Sequence, residues 1–345
     1  MQKLALLGFG TVGQGLAEIL LQKKDALKAE TGWEGKVVAI SDMIKGSIYD
    51  PEGIDIEKAL AIVKKTGTLD DYPESEGLIR DLDSFETIEQ TNADTIVEVT
   101  FTDVKTGQPA IDHCKTAFAA GKHVVMSNKG PVALAYKELS QLANQHGVRW
   151  GFEGTVMSGT PALRMPLTAL AGNDINEISG ILNGTTNYML LRMEEGLSYE
   201  EALTEAQNKG FAEADPTSDV EGYDARYKIV ILANTVMNTT LKVDDVACDG
   251  ITQLTPYDIK KAKAQGKRWK LIARVRKEHG VVKASVQPEM MDETHPLAQV
   301  QGVINAVSFE CDLAGTITLS GPGAGRTETG YSLLIDLLNI YRNHL

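Results

Sequence analysis

A glycine turn close behind the first apolar run constrains the fold of this chain more than any other feature. Lys3-Leu-Ala-Leu-Leu7 has the length and apolarity of a buried strand, and it leads directly into Gly8-Phe9-Gly10-Thr11-Val12-Gly13. Gln14 to Lys23 then reads as a helix. Strand, glycine turn and helix in that order are the context that a dinucleotide-binding fingerprint requires. Gly8 permits the tight turn, Gly10 lets the backbone approach a pyrophosphate, and Gly13 lets helix and strand pack closely. The helix start, with its unpaired N–H groups and positive dipole end, then holds the anion. Gly8, Phe9, Gly10, Thr11, Val12 and Gly13 are therefore the expected cofactor cradle.

Beyond this first helix the chain alternates between strand and helix. Val37–Ser41 reads as a strand ending at Asp42, Thr95–Val99 as one ending at Thr100, and His123–Met126 as one ending at Lys129. Helices are expected at Pro109–Ala120 and Leu134–His146, and Val148–Phe152 closes the series. Residues 43–85 are polar and rich in turn formers, with one helical patch at Ile56–Lys65. Such alternation predicts an α/β domain over residues 1–150, a doubly wound parallel sheet with right-handed crossovers, the Rossmann arrangement. Ligands of such sheets bind off the C-terminal strand ends, where Asp42, Thr100 and Lys129 fall.

After residue 150 the pattern changes. A strand is expected at Glu177–Leu182, and Asn183-Gly-Thr-Thr-Asn-Tyr188 opens a helix over Met189–Glu195. Another helix spans Tyr199–Lys209, and Leu271–Arg276 and Val281–Val286 read as a hairpin turned at His279-Gly280. These elements predict an α+β domain with a mixed sheet over residues 151–320. A glycine-rich turn, Gly321-Pro-Gly-Ala-Gly325, precedes a helix over Ser332–Ile340, and this tail (321–345) is expected to return to the first domain.

Composition removes several classes of function. The net charge of −13 argues against nucleic acid or an anionic membrane surface as partner. No apolar run approaches the roughly 18 residues of a membrane span, and no signal peptide is seen before the first strand. The three cysteines are scattered and outside any CxxC pair, so a reducing cytoplasm is the expected location. The six histidines form no zinc-binding spacing.

The stretch Gly210 to Lys228 carries five carboxylates around a proline and a glycine, and it runs straight into the apolar segment Ile229–Ala233. Carboxylates that dense repel one another. The stretch is either a solvated acidic loop or a pocket for a cationic small molecule, with Asp224 and Lys228 one helical turn apart on one face.

Four segments together resemble the homoserine dehydrogenases in their short, monofunctional form, and the resemblance covers nearly the whole chain. They are Gly8–Gly13, Ser127-Asn-Lys-Gly130, Ile181-Leu-Asn-Gly-Thr-Thr-Asn187 and the acidic stretch itself, which is the most specific of the four. The resemblance implies reversible NAD(P)-dependent oxidation of L-homoserine to L-aspartate 4-semialdehyde, in threonine and methionine biosynthesis. It also implies a homodimer formed through the sheet of the second domain. By the same match Glu213 and Asp219 hold the substrate ammonium, and Gly184 and Thr185 reach the substrate. Gly325 approaches the nicotinamide, and Glu153 with the backbone carbonyls of Val156, Ser158 and Thr160 ligates a structural sodium ion. Met157 and Ser158 stand where the family loop carries a small pair. Each role has a plainer counterpart: a solvated loop for Glu213 and Asp219, a helix cap for Thr185, a simple bend for Gly325.

Oxidising a primary alcohol requires loss of the hydroxyl proton as hydride leaves, and no histidine lies in these motifs to take it. Lys228 and Lys129 are the candidates, the first as principal acid–base, with Asp224 orienting it. A lysine near its ordinary pKa of about 10.4 is a poor base unless burial or a nearby cation lowers it. For cofactor choice, an acid after the second strand binds the ribose 2′-hydroxyl of NAD and repels the 2′-phosphate of NADP, so Asp42 predicts NAD over NADP. Lys45 argues the other way, and Asp42 could simply begin a turn. Two other classes fit part of the pattern. A sugar-type oxidoreductase carries its lysine in Glu-Lys-Pro, against Asn128-Lys129-Gly130 here, and aspartate-semialdehyde dehydrogenase needs a nucleophilic cysteine beside a base. A non-catalytic dinucleotide sensor would not need Glu213, Asp219, Asp224 and Lys228 together.

Overall fold

The computed structural model describes residues 1–101 and 103–344, so the last residue of the expected tail, Leu345, lies outside it. The chain forms two compact units, Met1–Gly159 with Gly325–Leu345, and Thr160–Ala324.

The first unit begins with β1 (Gln2–Leu7), α1 (Thr11–Thr31), β2 (Gly35–Asp42), β3 (Gly46–Tyr49), α2 (Ile56–Thr66), β4 (Ile79–Arg80) and α3 (Ser84–Gln90). It continues through β5 (Thr95–Glu98), α4 (Ala110–Ala119), β6 (His123–Met126), α5 (Lys129–Gln145), β7 (Trp150–Gly151) and the short α6 (Gly154–Met157). The sheet order is β4-β3-β2-β1-β5-β6-β7. From β2 to β7 the strands are parallel, as the alternation predicts. Leu4 to Leu7 are wholly buried, which is why the central strand reads as a continuous apolar run. The edge differs from expectation. β3 and β4 run antiparallel and occupy part of the polar segment that reads as turns. Strands of four and two residues are too short to display an alternation.

The second unit contains α7 (Arg164–Ala169), β8 (Ile175–Ile181), α8 (Gly184–Glu194), α9 (Tyr199–Asn208), α10 (Thr217–Val220) and α11 (Tyr223–Val236). It is completed by β9 (Ala247–Cys248), α12 (Pro256–Ala264), β10 (Lys267–Glu278), β11 (Val281–Asp292), β12 (Ile304–Cys311) and β13 (Gly315–Pro322). Its sheet has the order β13-β12-β8-β10-β11-β9 and is mixed, with β9 alone parallel to its neighbour. Val275, Ile178 and Phe309 are buried in register across three strands, and α8 and α11 pack on this sheet. The adjacent row is polar: Arg274 pairs with Glu177 and Glu289, and Ser308 bonds Thr318.

From Gly325 the chain is again part of the first unit, where α13 (Arg326–Tyr341) packs along α1. A Cβ on Gly330 would fall 2.8 Å from the carbonyl carbon of Gly15, so the two helices cross with their backbones in contact. Leu333, Leu334 and Leu337 thereby join Leu16 and Leu20 in the core of the first unit. Among the described residues no helix is long and apolar enough to cross a membrane.

Candidate active site

The glycine turn is built as a cradle for an anion. Gly8 has φ of +96°, in the region open to glycine, and a Cβ there would sit 2.6 Å from the Val99 carbonyl oxygen. At Gly13 a Cβ would come within 2.4 Å of the Gly8 oxygen, so helix and strand can approach only without a side chain. Gly10 is the opposite case. Nothing lies within 4 Å of its notional Cβ, which leaves the space that a bound phosphate needs. Gly10 also caps α1 without a side-chain bond, and the first turn carries no acid, so the N–H groups of Thr11, Val12 and Gly13 stand at an uncapped positive helix end. The residues present fit a dinucleotide.

Asp42 ends β2 beside this turn. Its Oδ2 accepts the Phe9 N–H at 2.6 Å, and its Oδ1 accepts those of Ile44 and Lys45 at 2.9 Å each. Burial raises its pKa, but these donors and the Lys45 charge outweigh it and hold the carboxyl below its ordinary value. Asp42 therefore does begin the turn to β3 and also sits at the cradle.

At the next two strand ends, Thr100 follows β5 and Lys129 opens α5, a turn earlier than the helix expected from Leu134. Asn128 caps α5 by accepting the Gly130 N–H at 3.3 Å and donates to the Thr100 carbonyl at 3.3 Å. Lys129 is half-buried at the first helical position.

In the second unit the end of the acidic stretch, with Asp219, Asp224 and Lys228, forms a polar cluster. α11 starts at Tyr223, so Asp224 and Lys228 lie one turn apart, and Lys228 Nζ donates to Asp224 Oδ2 at 2.7 Å. The same Nζ donates to the Leu182 carbonyl at 2.7 Å, and Lys228 is only 7% exposed. Asn183 joins the cluster: its Nδ2 reaches Asp219 at 2.7 Å and Asp224 at 3.1 Å, while its Oδ1 caps α8 at the Thr186 N–H. Burial raises the Asp219 pKa, partly offset by the Asn183 bond and reinforced by the charge of Asp224. Asn183 is the residue that sequence reasoning missed, although an asparagine just before a helix was the signal for it.

Other assignments change or stand apart. Thr185 is not the helix cap, since Asn183 takes that role, and its hydroxyl donates to the Phe211 carbonyl at 2.6 Å. Gly184 is the first residue of α8. Glu213 is exposed, and its backbone carbonyl accepts from Gln207. Gly325, with φ of +145°, immediately precedes α13 in the first unit. Glu153, Val156 and Ser158 are buried in the first unit, and Thr160 begins the second. Ser158 takes φ of +55° and its hydroxyl bonds Thr329 at 2.9 Å. Among the described residues no group of three or more His, Cys, Asp or Glu could hold a metal ion. The cysteine chemistry of the rival dehydrogenase finds no support: burial raises the Cys114, Cys248 and Cys311 thiols, which disfavours a thiolate.

A Rossmann unit carrying an open anion cradle, joined in one chain to a unit that buries a lysine among carboxylates, defines an NAD(P)-linked oxidoreductase. Residues 1–104 match the family model of Glutamate/Leucine/Phenylalanine/Valine dehydrogenase, and residues 161–338 match that of Homoserine dehydrogenase. The NAD(+)-dependent homoserine dehydrogenase of Pseudomonas canavaninivorans is 44% identical over 99% of this chain and 96% of its own. The homoserine dehydrogenase of Methanocaldococcus jannaschii is 43% identical over 98% of each. A hyperthermophilic archaeal homoserine dehydrogenase solved in complex with NADPH matches with a TM-score of 0.85 at 30% identity, over 99% of this chain and 98% of that one. The chain belongs to the homoserine dehydrogenase family, whose reaction is the reversible NAD(P)-dependent oxidation of L-homoserine to L-aspartate 4-semialdehyde in amino-acid biosynthesis.

Proposed function

We propose that this chain serves threonine and methionine biosynthesis and carries out the family's reaction with Lys228 as its principal acid–base. One observation carries the assignment. Lys228 is buried, and its Nζ is fixed between the Leu182 carbonyl and Asp224 at 2.7 Å each. A bound nicotinamide supplies the hydride acceptor. In the direction of oxidation the substrate hydroxyl proton passes to Nζ as the carbonyl forms, and in reduction it returns. Asp224 orients the amine, Asn183 ties Asp224 to Asp219, and Asp219 with Glu213 receives the substrate ammonium. Gly184 and Thr185 supply backbone N–H groups at the start of α8, where the dipole favours the substrate carboxylate. Lys129 is the second lysine, on the cofactor side with Gly325. The decisive assay is consumption of NADH or NADPH with L-aspartate 4-semialdehyde, and no consumption with either would overturn the reading.

The same reading gives a modest preference for NAD. Asp42 is ionised beside the cradle, so a 2′-phosphate meets repulsion that a 2′-hydroxyl does not. Exposed charge repulsion weakens with salt. The ratio of kcat/KM for NAD over NADP is expected to exceed one, to shrink as ionic strength rises, and to reverse in Asp42→Ser. That variant also loses some NAD affinity, because Asp42 holds the Phe9 N–H. Steady-state kinetics with both cofactors at low and high salt checks it, and a strong NADP preference in the unmutated protein would show that Lys45 prevails.

A cation site and an oligomer belong to the same proposal. The loop at Glu153, Val156, Ser158 and Thr160 offers one carboxylate and neutral oxygens, a hard donor set suited to a structural sodium ion rather than a divalent one. The polar face of the second unit's sheet, with Arg274, Glu177, Ser308 and Thr318, is the surface for homodimer formation. Light scattering after size exclusion tests the oligomer, and a monomer at micromolar concentration would exclude it.

A further inference from the structure

Glu98, the last residue of β5, follows the apolar pair Ile96-Val97 and is wholly buried. A buried carboxylate is costly unless it is fully bonded. One oxygen, Oε2, is anchored by His113 of α4, whose Nδ1 lies 2.5 Å away. That ring is itself 2% exposed, held through Nε2 by the Ser84 hydroxyl at 2.8 Å and packed edge-on against Phe85. The other oxygen faces a different set of groups. Oε1 accepts the Thr100 N–H at 2.8 Å, the Thr100 hydroxyl at 2.5 Å and Asn128 Nδ2 at 3.5 Å. These donors come from the ends of two neighbouring strands. Thr100 continues β5 past the glycine turn, against which Val99 packs, and Asn128 caps the helix whose first residue is Lys129. A carboxylate fixed on one side and spanning two cofactor-facing loops on the other is more than a neutralised core acid.

We propose that Glu98, anchored by His113, is a positioning residue for the cofactor half of the reaction: it sets the spacing between Thr100 and Asn128 and thereby the start of α5 at Lys129. The proposal rests on the reading of the first unit as the cofactor site. Neither Glu98 nor His113 touches the reacting atoms. Their effect is on how well the cofactor is held and aligned, not on substrate recognition in the second unit.

The test uses the full chain and NADH. Glu98→Leu leaves the Thr100 and Asn128 donors without their acceptor. It is expected to raise the NADH dissociation constant, measured by fluorescence without substrate, and to lower kcat, each by roughly tenfold. The KM for homoserine should stay within about twofold, a split that general loosening of the fold would not give. Glu98→Gln restores an acceptor oxygen toward the loops while its amide faces the His113 ring, so it should recover most of the loss. Should Glu98→Leu fail to fold by circular dichroism, His113→Phe carries the test: it removes the anchor alone and should weaken NADH severalfold with homoserine KM unchanged. Unaltered NADH affinity in the folded variants, or equal losses for cofactor and homoserine, would overturn the proposal. Binding of NADH by the unmutated protein is the control. Its failure would overturn the cofactor reading and the proposal with it, whereas normal binding with silent Glu98 variants overturns the proposal alone.

Discussion

Replacing Lys228 with alanine is expected to lower kcat by about 10²–10⁴, the usual contribution of a positioned general acid–base. The KM for the cofactor should change little, because the cradle belongs to the other unit. The loss should appear in both directions of the reaction, since the same amine takes the hydroxyl proton in oxidation and returns it in reduction. Removing the buried amine also leaves Asp224 without its 2.7 Å partner, so some loss of thermal stability should accompany the loss of rate. Lys228→Arg separates the two effects. It keeps a cation near Asp224 but cannot act as a base at neutral pH, and it should remain slow even where stability is recovered. Turnover of the alanine variant within a few-fold of the unmutated protein would remove Lys228 from the chemistry.

Asp219→Asn should act on homoserine rather than on the cofactor. Truncating one partner of a desolvated charge pair costs about 2–5 kcal/mol, roughly 30-fold to several thousand-fold in affinity, and most of it should fall on the KM for homoserine. Glu213→Gln should move the same constant in the same direction but by less, about fivefold, because its side chain is exposed and screened. The pH dependence comes from burial, which raises the pKa of Asp219 above its ordinary value. Protonation removes the charge that would meet the ammonium, so homoserine affinity should fall on acidification, starting at higher pH than an exposed aspartate would give. Equal changes in the homoserine and cofactor constants, or none in either, would place the ammonium site elsewhere.

Much of this was legible in the chain because it depends on neighbours in sequence. The cradle at Gly8–Gly13 is announced by an apolar strand, a glycine turn and a helix within some twenty residues, each of which states its conformation locally. The pairing of Asp224 with Lys228 comes from helical period alone, and the structure adds only their distance. The parallel core of the first sheet is implied by the alternation of strands and helices. The antiparallel β3 and β4 did not emerge, because such short strands in a polar segment present no period, and their order comes from pairing, β3 with β2 and β4 with β3.

Fold class, the glycine turn and the helical spacing of Lys228 from Asp224 were thus written in the order of residues, because periodicity, glycine backbone freedom and charge spacing are local properties. Which of those groups share a hydrogen bond was settled by packing. Asn183 meets Asp219 and Asp224 across 36 and 41 residues of chain, the Thr185 hydroxyl serves the Phe211 carbonyl, and Glu98 finds His113 fifteen residues away and Asn128 thirty. Glu213 reads as the equal of Asp219 in the acidic stretch, yet one is exposed and the other is desolvated. Burial and long-range bonding depend on how helices and strands pack, and it is burial that separates the carboxylate held beside Lys228 from one left in water.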